Sequence, residues 1–476
     1  MGDGMHHALR TLVLLLVLGL AVPVAAGAAR PNVVVIETDD QAMADLASMP
    51  QTRRLIGGRG ASFTNSFVSL SQCCPSRATF LTGRYAHNHA VRSTEPPFGG
   101  FGAFHDSESL AVWLRRAGYE TSLVGKYMNQ YGKHDPTYIP PGWSDWHGLL
   151  GPSAYRFRGF AASDEGRGRH YPGSYETDVL TARSEQFVQR TAAAGRPFFL
   201  WTTYVAPHLG GPRDLFAPQG FGTTVPSPLF ANAFIGTRMP RTPAFDEADV
   251  SDKPDGIRNR RRLGPREQAL LDAVWRKRQQ SLLSVDLGVR RIVRALERAG
   301  VLDDTLLVFT SDNGYLIGEH RLRESKVLPY EPSIRVPLLM RGPGIPRGVT
   351  RSQLVWNGDL APTILEATGA RAAWPTDGMS LLPFARDPSA RSKRDILLEG
   401  PSLPRTGGAP LFTGLRTAGH LYAEYRSGEV ELYDLRRDPY ELRNLAGTPA
   451  VAPLERELTA RLARLRDCAG AACRGG

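Results

Sequence analysis

Beyond one stretch near its start, the chain lacks any apolar run long enough to span a membrane, which excludes a multi-span membrane protein. Internal repeats and low-complexity tracts are missing as well, so solenoid and disordered architectures are excluded. No group of His and Cys falls at zinc-ligand spacing. Lysine is scarce: the 58 basic residues are mostly arginine, and against 47 acidic ones they leave a formal charge of +11. Codon preference alone can account for the arginine, but the charge still attracts polyanions. Cysteine is nearly absent, with only Cys73, Cys74, Cys468 and Cys473 to place.

What is present at the N-terminus is a leader. Few charges precede Thr11-Leu-Val-Leu-Leu-Leu-Val-Leu-Gly-Leu-Ala21, small residues follow through Ala29, and Val24-Ala-Ala26 and Ala26-Gly-Ala28 are candidate cleavage sites. Residues 1–28 are read as a Sec-type signal peptide, with an uncleaved anchor as the alternative. No cysteine follows the apolar run, which argues against a lipoprotein. Cleavage would leave no stable membrane span and place the protein outside the cell or in its envelope. In that oxidising setting Cys468 and Cys473, close together in the chain, are expected to form a small disulfide loop. Adjacent cysteines rarely bridge, so Cys73 and Cys74 are left unpaired. The remaining length accommodates one large core and a smaller unit.

The central stretch is Ser71-Gln-Cys-Cys-Pro-Ser-Arg-Ala-Thr-Phe-Leu-Thr-Gly-Arg-Tyr85. Pro75 and Gly83 bracket a short helix with the cysteines at its N-terminus, where free N–H groups and Arg77 favour anions. A cysteine there reads as a nucleophile, or more blandly as a buried structural residue. Asn32–Thr38 reads as a buried strand ending in Asp39-Asp40, and 304–311 as another ending in Asp312-Asn313. Their four oxygen-bearing side chains suit a hard divalent ion at the strand tips. A helix over 107–117 stops at Gly118, and a strand over 121–124 releases Lys126. A strand over 197–204 leads to His208.

These residues carry a resemblance. Cys73-Cys-Pro-Ser-Arg77 and Leu81-Thr-Gly-Arg-Tyr85 match the signature of the type I sulfatases. The resemblance implies that Cys73 is oxidised by a formylglycine-generating enzyme to formylglycine, whose hydrate is the nucleophile. It implies one calcium ion on Asp39, Asp40, Cys73, Asp312 and Asn313, with Arg77, Lys126 and Lys326 supplying positive charge and His208 the acid. Gly125-Lys-Tyr-Met-Asn129, Tyr138–Trp143 and Arg276–Asp286 are similar to the N-acetylglucosamine-6-sulfatase and heparan-endosulfatase branch. The implied fold is α/β and alkaline-phosphatase-like, a central mixed sheet flanked by helices over 29–386, with a smaller antiparallel α+β subdomain over 387–476. The implied substrate is a sulfated small molecule or glycan, and no nucleic acid. Arylsulfatase action and phosphodiester or phosphonate-ester hydrolysis on the same scaffold are alternatives. A polyanion-binding protein with unmodified Cys73 is the non-enzymatic one.

Around this frame, 209–265 is a Gly-, Pro- and Arg-rich excursion whose Arg258–Arg262 run is either a solvated face or a contact to an acidic glycan. Apolar residues at helical spacing over 266–299 predict one or two long helices with a structural role. His320 reads as a loop residue. A strand over 335–344 and a helix over 359–369 follow. Short strands at 396–399, 411–417, 420–425 and 430–433, then a helix over 453–465, build the C-terminal unit.

Overall fold

The computed structural model describes residues 30–210 and 222–475. The expected leader lies outside the described residues. Asn32–Thr38 is buried along its whole length, with Val33 and Val35 in one core layer and Val34 and Ile36 in the other. A strand buried on both faces belongs in the middle of a helix-covered sheet. It pairs in parallel with Phe198–Thr203 on one side and Thr305–Ser311 on the other. Glu120–Gly125 and Asp145–Leu149 extend the parallel part. Antiparallel pairings add Arg158–Asp164 and Arg167–Tyr175 on one flank and Leu338–Arg341 and its neighbour Ala61–Phe63 towards the other, where Val349–Arg351, parallel to Ala61–Phe63, forms the edge of the ten-stranded sheet.

Helices Cys73–Thr82, Leu110–Arg116 and Leu360–Thr368 cover one face. Glu176–Ala193 and Pro265–Arg298 cover the other. This is the expected mixed α/β sheet. The 266–299 pattern, expected as one or two helices, is one continuous helix, Pro265–Arg298, and the strand expected over 335–344 is confined to Leu338–Arg341, which pairs antiparallel with Thr305–Ser311.

The C-terminal unit is a four-stranded antiparallel sheet, Ile396–Glu399, Phe412–Arg416, His420–Tyr425 and Val430–Asp434, with helix Ala452–Leu465 packed on it. Cys468 and Cys473 are bridged. Its core is continuous with Phe67, Tyr85 and Trp356 of the larger part. Among the described residues no helix is long and apolar enough to cross a membrane.

Candidate active site

Parallel strands direct their C-terminal ends to one edge of the sheet, and loops leaving that edge meet there. Asn32–Thr38 delivers Asp39 and Asp40, Thr305–Ser311 delivers Asp312 and Asn313, Glu120–Gly125 delivers Lys126, and the loop after Phe198–Thr203 delivers His208. Asp40 has φ 66°, uncommon for a residue with a Cβ. Its N–H donates to Asp312 Oδ1 at 3.2 Å, and Arg278 donates to its carbonyl.

Cys73 opens the Cys73–Thr82 helix after an extended Gln72. Its Sγ lies 3.3 Å from Asp39 Oδ1 and 3.0 Å from Lys326 Nζ. One turn on, Arg77 is wholly buried. Its Nε donates to Asp312 Oδ2 at 2.9 Å and Nη1 to the Lys126 carbonyl at 2.7 Å, while Nη2 stands 3.4 Å from Glu37 Oε1 and 3.7 Å from Asp39 Oδ2. Lys126 pairs with Asp39 and Lys326 with Asp40. His208 donates from Nδ1 to the Leu209 carbonyl at 2.8 Å and holds Nε2 3.6 Å from Asp40 Oδ2. Every site residue expected from the sequence is therefore in one cluster.

Four buried carboxyl groups face three cations, and their titration diverges. Burial raises Asp39 and Asp40, but Lys126 and Lys326 respectively lead the charges that outweigh it and hold both below the usual carboxylate range. Burial, with Asp39 next, pushes Asp312 up to about 6. Burial takes Glu37 to about 8 despite Arg77. Both lysines are disfavoured by burial yet held well above their ordinary value by Asp39 and Asp40. Burial lowers His208 although Asp40 and Asp39 pull it upward.

The donor set fits a hard cation. Asp40 Oδ2 and Asn313 Oδ1 are buried without a hydrogen-bond partner. Ligand atoms of Asp39, Asp40, Cys73 and His208 lie within 4.8 Å of one another. Carboxylate and amide oxygens of this kind are the ligands that calcium and magnesium take. His208, expected from the sequence as an acid, joins this group.

Three residues at the site escaped the sequence reading. Glu37 is one, signalled only by an acid inside a β-branched run. Arg278, on the long helix read as scaffold, is fully buried and donates to the carbonyls of Asp40 and Pro207. Tyr155 lies with its ring centre 5.1 Å from Lys126 Nζ and 4.7 Å from the His208 ring. His320, expected in a loop, is fully buried; it bonds Glu247 at 2.6 Å and packs on Tyr330.

A family model described as Sulfatase matches residues 31–370, and one described as N-sulphoglucosamine sulphohydrolase, C-terminal, matches residues 318–468. Human N-acetylglucosamine-6-sulfatase is 34% identical over 97% of this chain and 90% of its own length. A putative extracellular sulfatase Sulf-1 homolog of Caenorhabditis elegans is 36% identical over 79% of this chain and 53% of its own length. The chain thus spans about half the length of that relative. In fold it is similar to BT4656, solved in complex with its substrate D-glucosamine-2-N,6-O-disulfate, with a TM-score of 0.73 over 92% of this chain and 97% of that one at 23% identity.

Proposed function

The chain belongs to the sulfatase family, and from that premise we propose that it is an exported sulfuric ester hydrolase acting on sulfated sugars of the N-acetylglucosamine-6-sulfate type, with formylglycine at position 73 and one calcium ion. The observation that carries this reading is the setting of Cys73 between Asp39 and Lys326. Burial and Asp39 push its thiol up to about 12, so an unmodified Cys73 would supply almost no thiolate near neutral pH. This supports conversion to the aldehyde. Formylglycine would supply a hydrated aldehyde as nucleophile, and calcium on Asp39, Asp40, Asp312 and Asn313 would supply charge for the ester oxygens.

The chain's own residues do the rest. Lys126 and Lys326, kept protonated by their aspartates, set two positive charges around residue 73, where the sulfate anion must sit. Arg77 fixes Asp312 and the Lys126 carbonyl and so orients both strand ends. His208, with Nδ1–H committed to Leu209, presents Nε2 to the site, and a proton carried there can pass to the departing alcohol. Export is supported by the leader-like N-terminus and by the extracellular relatives.

The test combines two measurements on protein made with a formylglycine-generating enzyme. The tryptic peptide Gly60–Arg77 should show the mass change for loss of hydrogen sulfide and gain of one oxygen. The protein should release sulfate from N-acetylglucosamine 6-sulfate, lose this activity in Cys73→Ala and under chelation, and recover from chelation with calcium. Sulfate release from protein whose Cys73 is an intact thiol in every copy would overturn the modification. Faster phosphate than sulfate release from matched esters would favour the phosphodiester or phosphonate-ester alternative.

A further inference from the structure

Six arginines line one groove: Arg54, Arg59, Arg290, Arg294, Arg341 and Arg347. Its volume is about 520 Å³, within the usual range of ligand clefts. The groove is flanked by Gly300, Leu302 and Asp303, just before Thr305–Ser311. The catalytic residues Asp312 and Asn313 leave the other end of that strand. Seven residues of strand set groove and site roughly 20 Å apart, at opposite edges of the sheet.

Only two carboxylates, Glu297 and Asp303, share the groove, so it holds an excess of four charges out of the formal +11. Asp303 pairs with Arg341 at 3.2 Å. Among the described residues no carboxylate lies within ion-pair distance of Arg54, Arg59, Arg290, Arg294 or Arg347, and Arg290 Nε is buried without a hydrogen-bond partner. Like charges crowded this way repel unless an anion joins them. In the Arg258–Arg262 run, which the sequence offered for a glycan, three of the four arginines are already answered: Arg258 pairs with Asp255 and Glu429, Arg261 with Glu267, and Arg262 with Asp246. A second groove shares Arg54 and adds Arg53, so the basic track is longer than one small anion could use; Arg335, also in that groove, is answered by Glu331 at 3.3 Å.

We propose that this arginine track is an exosite for a linear sulfated polysaccharide, which holds the polymer at the edge of the sheet opposite the catalytic site. The choice of polymer rests on the function proposed above. The track itself rests on the uncompensated charge.

The test uses the full chain and size-defined heparin oligosaccharides as probe. A variant with Arg59→Ser, Arg294→Ser and Arg347→Ser removes three exposed guanidinium groups. A control with Arg258→Ser, Arg260→Ser and Arg261→Ser changes net charge equally. The groove variant should elute from immobilised heparin at lower salt and bind the oligosaccharide about tenfold or more weakly. The control should match wild type, and turnover of the monosaccharide sulfate should be unchanged in both. Equal weakening in both variants would show a net-charge effect and overturn the exosite. Equal competition by duplex DNA of similar charge would overturn the glycan assignment. Heparin binding is read without turnover, so an inactive protein with groove-dependent retention would sink the sulfatase proposal and leave the exosite standing.

Discussion

Arg77 shows how much one side chain can organise. It is wholly buried, and a buried guanidinium is tolerable only where its charge is answered; Asp312, Glu37 and Asp39 answer it. Arg77→Met leaves those carboxylates facing one another and should cost about 3–5 kcal/mol of stability by chemical denaturation. Arg77→Lys keeps the charge but not the planar fork. One ammonium cannot reach Asp312, Glu37 and the Lys126 carbonyl together. The lysine variant should therefore fold with less than half of that loss, while kcat for sulfate release falls by about 10²-fold. Wild-type kcat in Arg77→Lys would mean that charge alone matters here. Arg77 was legible because it stands in a motif. Glu37, which completes its setting, was not, because an acid within a buried strand has meaning only once its partner's position is known.

Secondary-structure elements deliver these side chains through their ends, and Gly125 is the tightest such end. It has φ 124°, and a Cβ there would lie 2.0 Å from the Thr203 carbonyl oxygen. Lys126, the next residue, donates its N–H to that same carbonyl at 3.2 Å, while its own carbonyl accepts from Thr203 Oγ1 at 2.6 Å. Gly125→Ala must push the two strands apart, so it should cost about 2–4 kcal/mol and reduce kcat by about 10²-fold through a displaced Lys126. Gly118, with φ 85° but no atom within 4 Å of its Cβ position, is the comparison. Gly118→Ala should cost only about 1–2 kcal/mol and leave kcat unchanged. Equal effects of the two substitutions in thermal unfolding and sulfate release would contradict the argument. Strands buried along their whole length around a β-branched or leucine run were legible to the residue, as with Asn32–Thr38 and Ile396–Glu399. The outer strands Arg158–Asp164 and Arg167–Tyr175 were not. They are rich in Arg and Gly, the last is mostly exposed, and pairing instead of burial defines them.

At the scale of the molecule, strand order was beyond the sequence, because which strands adjoin is decided by packing between distant segments. The junction between the catalytic core and the C-terminal unit was equally hidden, and it offers a pH test. The Ala86–His89 turn follows the signature helix directly. His87 meets Glu399 Oε1 at 3.0 Å through Nδ1 and the Cys468 carbonyl at 2.8 Å through Nε2. Both ring nitrogens face acceptors, so the ring bonds both only as imidazolium. Burial opposes that charge, but the Glu399 hydrogen bond and charge outweigh it and raise His87 from 6.5 to about 9. A folded value above the ordinary one means the contribution to stability is complete below pH 6.5 and is lost as pH rises through about 9. The ring is one-fifth exposed, so the contribution is discounted to about 1–2 kcal/mol. Wild type should exceed His87→Gln by that amount near pH 6 and by almost nothing near pH 9.5, measured by denaturant unfolding at each pH. Asp377 accepts from Tyr85 N, Asn88 Nδ2 and Gly470 N across the same junction. A stability difference that does not change with pH would mean that His87 joins the two parts as a neutral ring.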